Sequence, residues 1–531
     1  MSSNVTGKLI GGRRVRWDEG RAAEAYARGW WVRGTLADSL VEAAQRTPER
    51  IVLIDGACQL DCRTLHEQAS TLAQALLARM PVGSVVSLML PNWHEATIIY
   101  LAATMAGMVV NPILPSLRDR ELLFILNDAD ARMIFVPPVF GRHDYAAMLD
   151  RVASQLDPPP EVVVVRGGAP LPATNSPAIG LPTLDPDAVR MILYTSGTTA
   201  RPKGVLHSHN SMHALICQIR DYWQVEPGDR FLVPSPIAHI GGSIYAFECP
   251  LLLGTSTVLM DRWNADEAVE LIQAQRCTHI AGATPFLEQI LAAAERAGTR
   301  LPELELFVCG GASVSPSLIR RAAEYFDRAV VTRVYGSTEV PVTTVGAPLD
   351  PDHAADTDGR AGFAHIKLAD GGAESGEIHA RGPQMLVGYL HADDEVGSFD
   401  NNGYFRTGDL ARWVEDDYLV VTGRAKDVII RNGENIAPKE IEDILVDHPG
   451  IAEIAVIGLP DTRTGERACA VIVPTDEPRP DVASLRSFLQ AQGVATFKAP
   501  EQVVIWEQLP RNDAGKVLKH QIQAALTETD G

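Results

Sequence analysis

Between Tyr194 and Gly204 the chain reads YTSGTTARPKG. Thr195, Ser196, Thr198 and Thr199 offer neutral hydroxyl donors, Gly197 lets the main chain approach a ligand closely, and Lys203 adds a positive point charge. The apolar VRMIL before this stretch reads as a buried strand. GVLHSHN after it resumes with aliphatics ahead of a helix expected to start at Asn210. A polar loop leaving a buried strand turns backbone N–H groups toward an anion, and a polyphosphate suits the set. Lys203 lies between Pro202 and Gly204, which do not propagate a helix, so this is not the Gly-Lys-Ser/Thr loop that runs into one. Taken alone, the segment also reads as a surface loop of ordinary turn residues.

The elements that must position such a loop are visible as alternation. Short apolar runs such as SVVSLML, RMIFV, EVVVV, VRMIL, THIAG, LELFVCG and AVVTRVYG recur with helical stretches between them, which predicts α/β architecture with largely parallel sheets. Functional loops of such sheets sit at the carboxyl ends of strands. YTSGTTARPKG, VCGGASVSP and VYGSTEVP each follow an apolar run and so can share one crevice. From about Gly376 the texture changes to shorter strands separated by Asp/Asn/Gly turns, GEIHARG, YFRTGDLARWV and YLVVTGR, consistent with a β-barrel-like subdomain. After Arg424 comes a smaller unit with strands IAEIAVIG, ERACAVIVP and EQVVIW and helices near Lys439 and Asp481. The expected organisation is a large N-terminal domain, 1–425, and a small mobile α+β domain, 426–531.

Composition narrows the class. At 531 residues the chain exceeds one typical core. Lys and Arg number 47 against 67 Asp and Glu, a net charge of -20 that repels nucleic acid and anionic membrane, so a bound polyanion must be held by local groups. The 7 cysteines form no CxxC pair and no zinc-spaced Cys/His cluster, which reads as packing thiols in a cytoplasmic protein. No apolar run follows the basic residues of the N-terminus, so a secretory leader is not expected. ATIIYLAATMAGMVVNPILP approaches membrane-spanning length, but Gly107, Asn111 and Pro112 interrupt it; a core helix followed by a buried strand is expected instead.

Together, YTSGTTARPKG, CGGASVS, YGSTE, YFRTGDL, GRAKDVIIRNGENIAPKEIE and PRNDAGK, in this order, make the chain resemble the adenylate-forming superfamily from about Thr35 to Lys519. That superfamily includes AMP-forming acyl-CoA synthetases, peptide-synthetase adenylation domains and luciferases. The look is closest to ligases for cyclohexanecarboxylate-type and medium-chain acids. Ala200 departs from the glycine usual in the phosphate loop. The resemblance implies ATP and CoA as co-substrates and Mg²⁺ held by Glu339. It implies β- and γ-phosphates on Thr195–Lys203, the α-phosphate at Thr338 of the Tyr335–Gly336 loop, and adenine between Gly310, Gly311, Ala312 and Tyr335. Asp409 and Arg424 would take the ribose. Lys516 would bridge carboxylate and α-phosphate when the small domain closes. Lys426 occupies the hinge position, and Asn432 and Gly433 would line the pantetheine route.

For the acid, amino-acid-activating relatives carry a buried aspartate at about the position of Ile240. An apolar residue there leaves an ammonium unpaired, so amino acids are not expected. His239 is expected beside the substrate carboxylate, a structural histidine being the competing reading. Gly241 and Gly242 supply little bulk, and Met212, His213 and Ile216 are expected as pocket walls. The activity implied is an AMP-forming ligation of a medium-chain, alicyclic or aromatic acid to CoA. A ligase loading a separate carrier protein is the alternative acceptor, and a non-catalytic nucleotide-binding protein the alternative class. No nucleic-acid or membrane partner is implied, and oligomeric state is not encoded.

Overall fold

The computed structural model describes residues 5–529 apart from 175–178, 196–200, 312–313, 370–374, 416, 433, 462, 476–478 and 513–514. Among the described residues two seven-stranded sheets form the larger part. In the first, Glu161–Val164, Ala131–Val136, Val85–Leu88, Val109–Pro112 and Val189–Thr195 run parallel; Lys203–Ser208 and Gly388–Tyr389 add antiparallel strands at one edge. In the second, Val330–Val334, Leu306–Gly310, His279–Gly282, Arg230–Val233, Ser256–Leu259 and Ile51–Asp55 are parallel, and Cys58–Asp61 returns antiparallel.

Period-two alternation sorts these strands between layers. Leu306 and Val308 face the core shared by both sheets, whereas Phe307 and Cys309 face the helices Ala265–Gln275, Thr284–Ala297 and Pro316–Tyr325 outside. The shared layer is built around helix His94–Met105, in which every residue from Ala96 to Met105 is buried. The segment that approached membrane-spanning length is therefore this core helix followed by strand Val109–Pro112, as expected, and no described helix is long and apolar enough to cross a membrane.

A charged contact crosses this apolar layer. Arg190 and Glu248, each with a side chain 1% exposed, pair at 2.9 Å, and Tyr100 donates to the same Glu248 oxygen at 2.8 Å. Arg190 belongs to strand Val189–Thr195, Tyr100 to the core helix and Glu248 to a π-helical turn, Ile244–Glu248, so one ion pair joins three elements. Pro250, just beyond the turn, has no N–H to continue an α-helical ladder. Phe247 of the same turn stacks on Tyr100 at 4.2 Å between centroids.

Several local expectations need adjusting. The helix after the phosphate-loop strands is His209–Tyr222, one residue earlier than expected, because the Ser208 hydroxyl caps it by accepting from Ser211 N at 3.0 Å. The barrel-like subdomain is a four-stranded antiparallel sheet, His365–Ala369, Ser375–Arg381, Phe405–Val414 and Tyr418–Arg424, with no pairing between its outer strands among the described residues. An N-terminal hairpin, Val5–Ile10 with Arg13–Asp18, was not anticipated; Gly11 and Gly12, both at positive φ, close its two-residue turn. The C-terminal part is a five-stranded sheet with helices Pro438–Leu445, Val482–Ala491 and Lys519–Thr529. All seven cysteines are free, all but Cys58 buried.

Replacing Phe247, 1% exposed, by Ala removes the stacked ring and leaves a cavity. A stability loss of about 3–5 kcal/mol is expected in chemical denaturation. A loss below about 1 kcal/mol would contradict the packing described.

Candidate active site

One enclosed polar group is a carboxylate. Asp409 is 7% exposed and lies directly opposite Arg424 in the antiparallel pair Phe405–Val414 and Tyr418–Arg424. Arg424 Nε meets Asp409 Oδ1 at 2.9 Å. Tyr335, just past strand Val330–Val334, donates its hydroxyl to Asp409 Oδ2 at 2.7 Å, and burial raises the phenol well above its ordinary range, so it remains a donor. A carboxylate accepts about four hydrogen bonds. Both oxygens are thus oriented while each keeps capacity for a ligand hydroxyl.

Gly310 and Gly311 sit across this corner, at the end of Leu306–Gly310. The space at Gly310 is taken: a Cβ there would lie 2.5 Å from Val334 Cγ1. Open space exists at Gly311, where a Cβ would meet nothing within 4 Å. Gly310 is thus required by the packing of its own sheet, the space beside Gly311 is open, and Ala312 lies outside the described residues.

At the phosphate end, Thr195 closes one strand and pairs with Lys203, which opens the next. Ser196, Gly197, Thr198, Thr199 and Ala200 lie outside the described residues. The Thr195 hydroxyl is buried with no partner among the described residues, a donor that a ligand could use. Lys203 Nζ lies 5.3 Å from the Tyr389 ring centroid, and Tyr389 donates to Glu339 Oε1 at 3.1 Å, which aims the carboxylate and leaves its other lone pairs free for a cation. The Thr338 carbonyl accepts from His207 Nε2 at 2.8 Å; burial lowers His207 to about 4, so the ring is neutral. Gly336 is demanded by the fold of this loop, since a Cβ would lie 2.6 Å from Val342 N. Tyr389 and His207 were missed in the sequence. Neither sits in a recognisable pattern, although a histidine inside the apolar strand Lys203–Ser208 is a signal of sorts.

His239 directly precedes helix Ile240–Ser243 without a side-chain capping bond. Burial lowers its pKa, and its Nε2 is buried with no partner among the described residues, which leaves one polar atom for a substrate. The chain turns tightly behind it: a Cβ on Gly242 would lie 2.2 Å from the Pro236 carbonyl oxygen. Nothing lies within 4 Å of where a Gly241 Cβ would be, and Ile240 packs against the main core. Met212 and Ile216 are enclosed in that core at 0% and 1% exposure. His213 is held by the Trp30 carbonyl at 2.8 Å, a partner from the N-terminal segment.

The C-terminal part supplies the last group. Gly515, at φ +77, passes so close to Pro285 that a Cβ would lie 3.2 Å from its Cγ. The next residue, Lys516, lies within electrostatic reach of Asp409 and Arg424. Crowding by both parts of the chain, then the like charge of Arg424, lowers its ammonium to about 8, against the opposing pull of Asp409 and Asp427. Part of the Lys516 side chain remains exposed to solvent. Lys426 lies on the exposed turn Ala425–Asp427, its charge adding to the lowering. Asn432 occupies an exposed turn at φ 51, its N–H donating to Thr464 O at 2.8 Å, and Gly433 lies outside the described residues.

Residues 40–390 match the family model described as AMP-binding enzyme, and 440–516 match the AMP-binding enzyme C-terminal domain. A medium-chain fatty-acid–CoA ligase of Escherichia coli (strain K12) is 33% identical over 530 residues, covering 95% of this chain and 93% of that protein. A 2,3-dihydroxybenzoate-AMP ligase of Bacillus subtilis (strain 168) is 30% identical, with 95% and 96% covered. Among solved structures, ATP-bound MatB from Rhodopseudomonas palustris superposes with a TM-score of 0.83 at 28% identity, over 93% of this chain and 99% of that one.

The charge balance at Lys516 is open to direct test. Because Asp409 opposes the lowering, Asp409→Asn should move the Lys516 titration below about 8. Labelling by an amine-selective reagent across pH, read by mass spectrometry, should show faster modification of Lys516 at neutral pH in the variant. An unchanged profile would separate the two groups.

Proposed function

We propose, from the premise that the chain belongs to the AMP-binding enzyme family and is an AMP-forming acyl-CoA ligase, that its acid is medium-chain, alicyclic or aromatic. The observation that carries this reading is the orphaned Nε2 of a neutral His239 beside Ile240, where an acidic side chain would be needed to hold a substrate ammonium. The medium-chain fatty-acid–CoA ligase from Escherichia coli supports the same class.

In the first step a carboxylate oxygen attacks the α-phosphorus and the bond to pyrophosphate breaks, leaving an acyl-adenylate. Two anions must meet, so positive charge has to be in position beforehand. Lys516 draws carboxylate and α-phosphate together, Lys203 with the Thr195 hydroxyl holds the outer phosphates, and the Thr338 segment meets the α-phosphate. Asp409 takes the ribose hydroxyls, with Tyr335 and Arg424 keeping its oxygens in place. Glu339, aimed by Tyr389, would hold Mg²⁺, which neutralises charge on the leaving pyrophosphate. His239 orients the carboxylate. In the second step a thiol sulfur attacks the acyl carbon, the bond to the AMP oxygen breaks and the thiol proton is lost. Residues 426–531 rotate about Lys426 between the steps, exchanging Lys516 for the Asn432–Gly433 turn, with the boundary at residue 425.

A carrier-protein phosphopantetheine in place of CoA is the second reading, favoured by the similarity to a 2,3-dihydroxybenzoate-AMP ligase. Pyrophosphate release from Mg-ATP across a panel of acids, with and without CoA and with thioesters followed by mass, separates the two. Turnover with CoA on ring-containing or medium-chain acids is expected. A single burst without thioester would move the acceptor to a carrier protein, and no release with any acid would remove the proposed acid class.

Two variants assign the roles. Lys516→Ala should lower adenylation by about 10²–10³ while thioester formation from preformed acyl-adenylate survives; equal loss of both half-reactions would refute the assignment. Glu339→Gln should raise the Mg²⁺ concentration needed for half-maximal rate, and an unchanged requirement would take Glu339 out of the metal site.

A further inference from the structure

The turn Gly388–Glu395 is gripped from two sides. Its inner side is committed to the phosphate-binding elements. Tyr389 orients Glu339 and lies beneath Lys203. Asp394, 6% exposed, accepts from Arg201 Nη2 at 2.8 Å. His391 Nε2 meets Asp128 Oδ1 at 2.8 Å, and Asp128 Oδ2 accepts from Tyr194 OH at 2.8 Å. Tyr194 and Arg201 stand at the two ends of the phosphate loop.

The outer side is covered by the N-terminal hairpin, which lies ahead of the AMP-binding region that begins at residue 40. Arg16 N donates to Val387 O at 2.6 Å, and the Arg16 guanidinium covers the Phe399 ring at 3.8 Å. Arg14 Nη1 and Arg16 Nη1 reach the two oxygens of Glu395 at 3.1 and 3.7 Å. Glu395 has a side chain only 10% exposed, so it is no ordinary surface ion-pair partner: without the arginines its carboxylate is left largely desolvated and unpaired. Gly388 brings turn and hairpin together, since a Cβ there would stand 3.1 Å from Glu395 Oε1 and 3.6 Å from Arg16 N.

We propose that the N-terminal hairpin is a positioning element for ATP binding: Arg14 and Arg16, through Glu395, hold the turn Gly388–Glu395 so that its inner side chains keep Lys203, Arg201, Tyr194 and Glu339 in register with the polyphosphate. Arg14 and Arg16 touch none of the reacting groups themselves. The proposal rests on the assignment of Lys203 and Glu339 to Mg-ATP.

The test is Mg-ATP affinity by calorimetry on the full chain, for wild type, the double variant Arg14→Ala/Arg16→Ala and the shape-conserving Glu395→Gln, with thermal unfolding recorded for each. Turnover then gives KM for Mg-ATP and for the acid separately. The double variant should bind Mg-ATP about five-fold or more weakly, Glu395→Gln should shift affinity in the same direction, and Arg14→Lys/Arg16→Lys should recover most of the loss. KM for the acid should stay within about two-fold. Unchanged Mg-ATP affinity in folded variants, or an equal rise in both KM values, would overturn the brace. If the double variant fails to fold, Glu395→Gln decides alone. Wild type that binds Mg-ATP but turns over no acid in the panel would fail the acid assignment and leave the affinity comparison to judge the hairpin; wild type that binds no Mg-ATP would overturn both.

Discussion

A carboxylate that is 7% exposed must have its charge met within the protein, and Asp409 meets it with Arg424 on one oxygen and Tyr335 on the other. Asp409 and Arg424 sit on paired strands of the four-stranded sheet, whereas Tyr335 follows a strand of the second seven-stranded sheet, so its hydrogen bond to Asp409 forms only when the two sheets are docked. Arg424 is also the last residue before the turn that carries Lys426, which ties the attachment of the C-terminal part to the same contact. Lys516 enters a field already set by Asp409 and Arg424; burial, then the like charge of Arg424, lowers its pKa, and Asp409 opposes the shift.

The remaining groups depend on the same layering. Gly310 and Tyr335 lie at the same end of adjacent parallel strands of the second sheet, and the loop after Tyr335 reaches the first sheet through the Thr338 carbonyl on His207 and Glu339 on Tyr389. The buried Arg190–Glu248 pair, with Tyr100, locks the first sheet to the helical segment that begins beside His239. A charged pair in that position adds less stability than apolar packing would and is costly to break, which suits a contact whose use is to fix register.

How far the sequence could be read depends on the range of the interaction. Alternating apolar runs such as LELFVCG carry their own period, and the strands and the core helix after Trp93 were legible from it. Loop chemistry was legible where several motifs fell in order, because spacing along one chain is local information. What stayed hidden was contact between distant segments. The Tyr389 hydroxyl on Glu339, the His207 ring on the Thr338 carbonyl and the arginines of the N-terminal hairpin on Glu395 each join residues 50 or more positions apart. At Gly310 the neighbour that requires the missing side chain is Val334 on the adjacent strand, a further contact between segments that spacing along the chain does not display. The helix start at His209 was missed by one residue although Ser208 was in plain view as a capping side chain.

The central claim is that Asp409, oriented by Tyr335 and Arg424, is the ribose site and that Lys516 closes over the reacting groups beside it. A crystal structure with a non-hydrolysable acyl-adenylate analogue tests it most directly. The account predicts both ribose hydroxyls on the Asp409 carboxylate with the Tyr335 and Arg424 contacts intact, and the Lys516 ammonium against the group that replaces the phosphoester. A ribose bound elsewhere, or Lys516 turned away while the ligand fills the cleft, would contradict it.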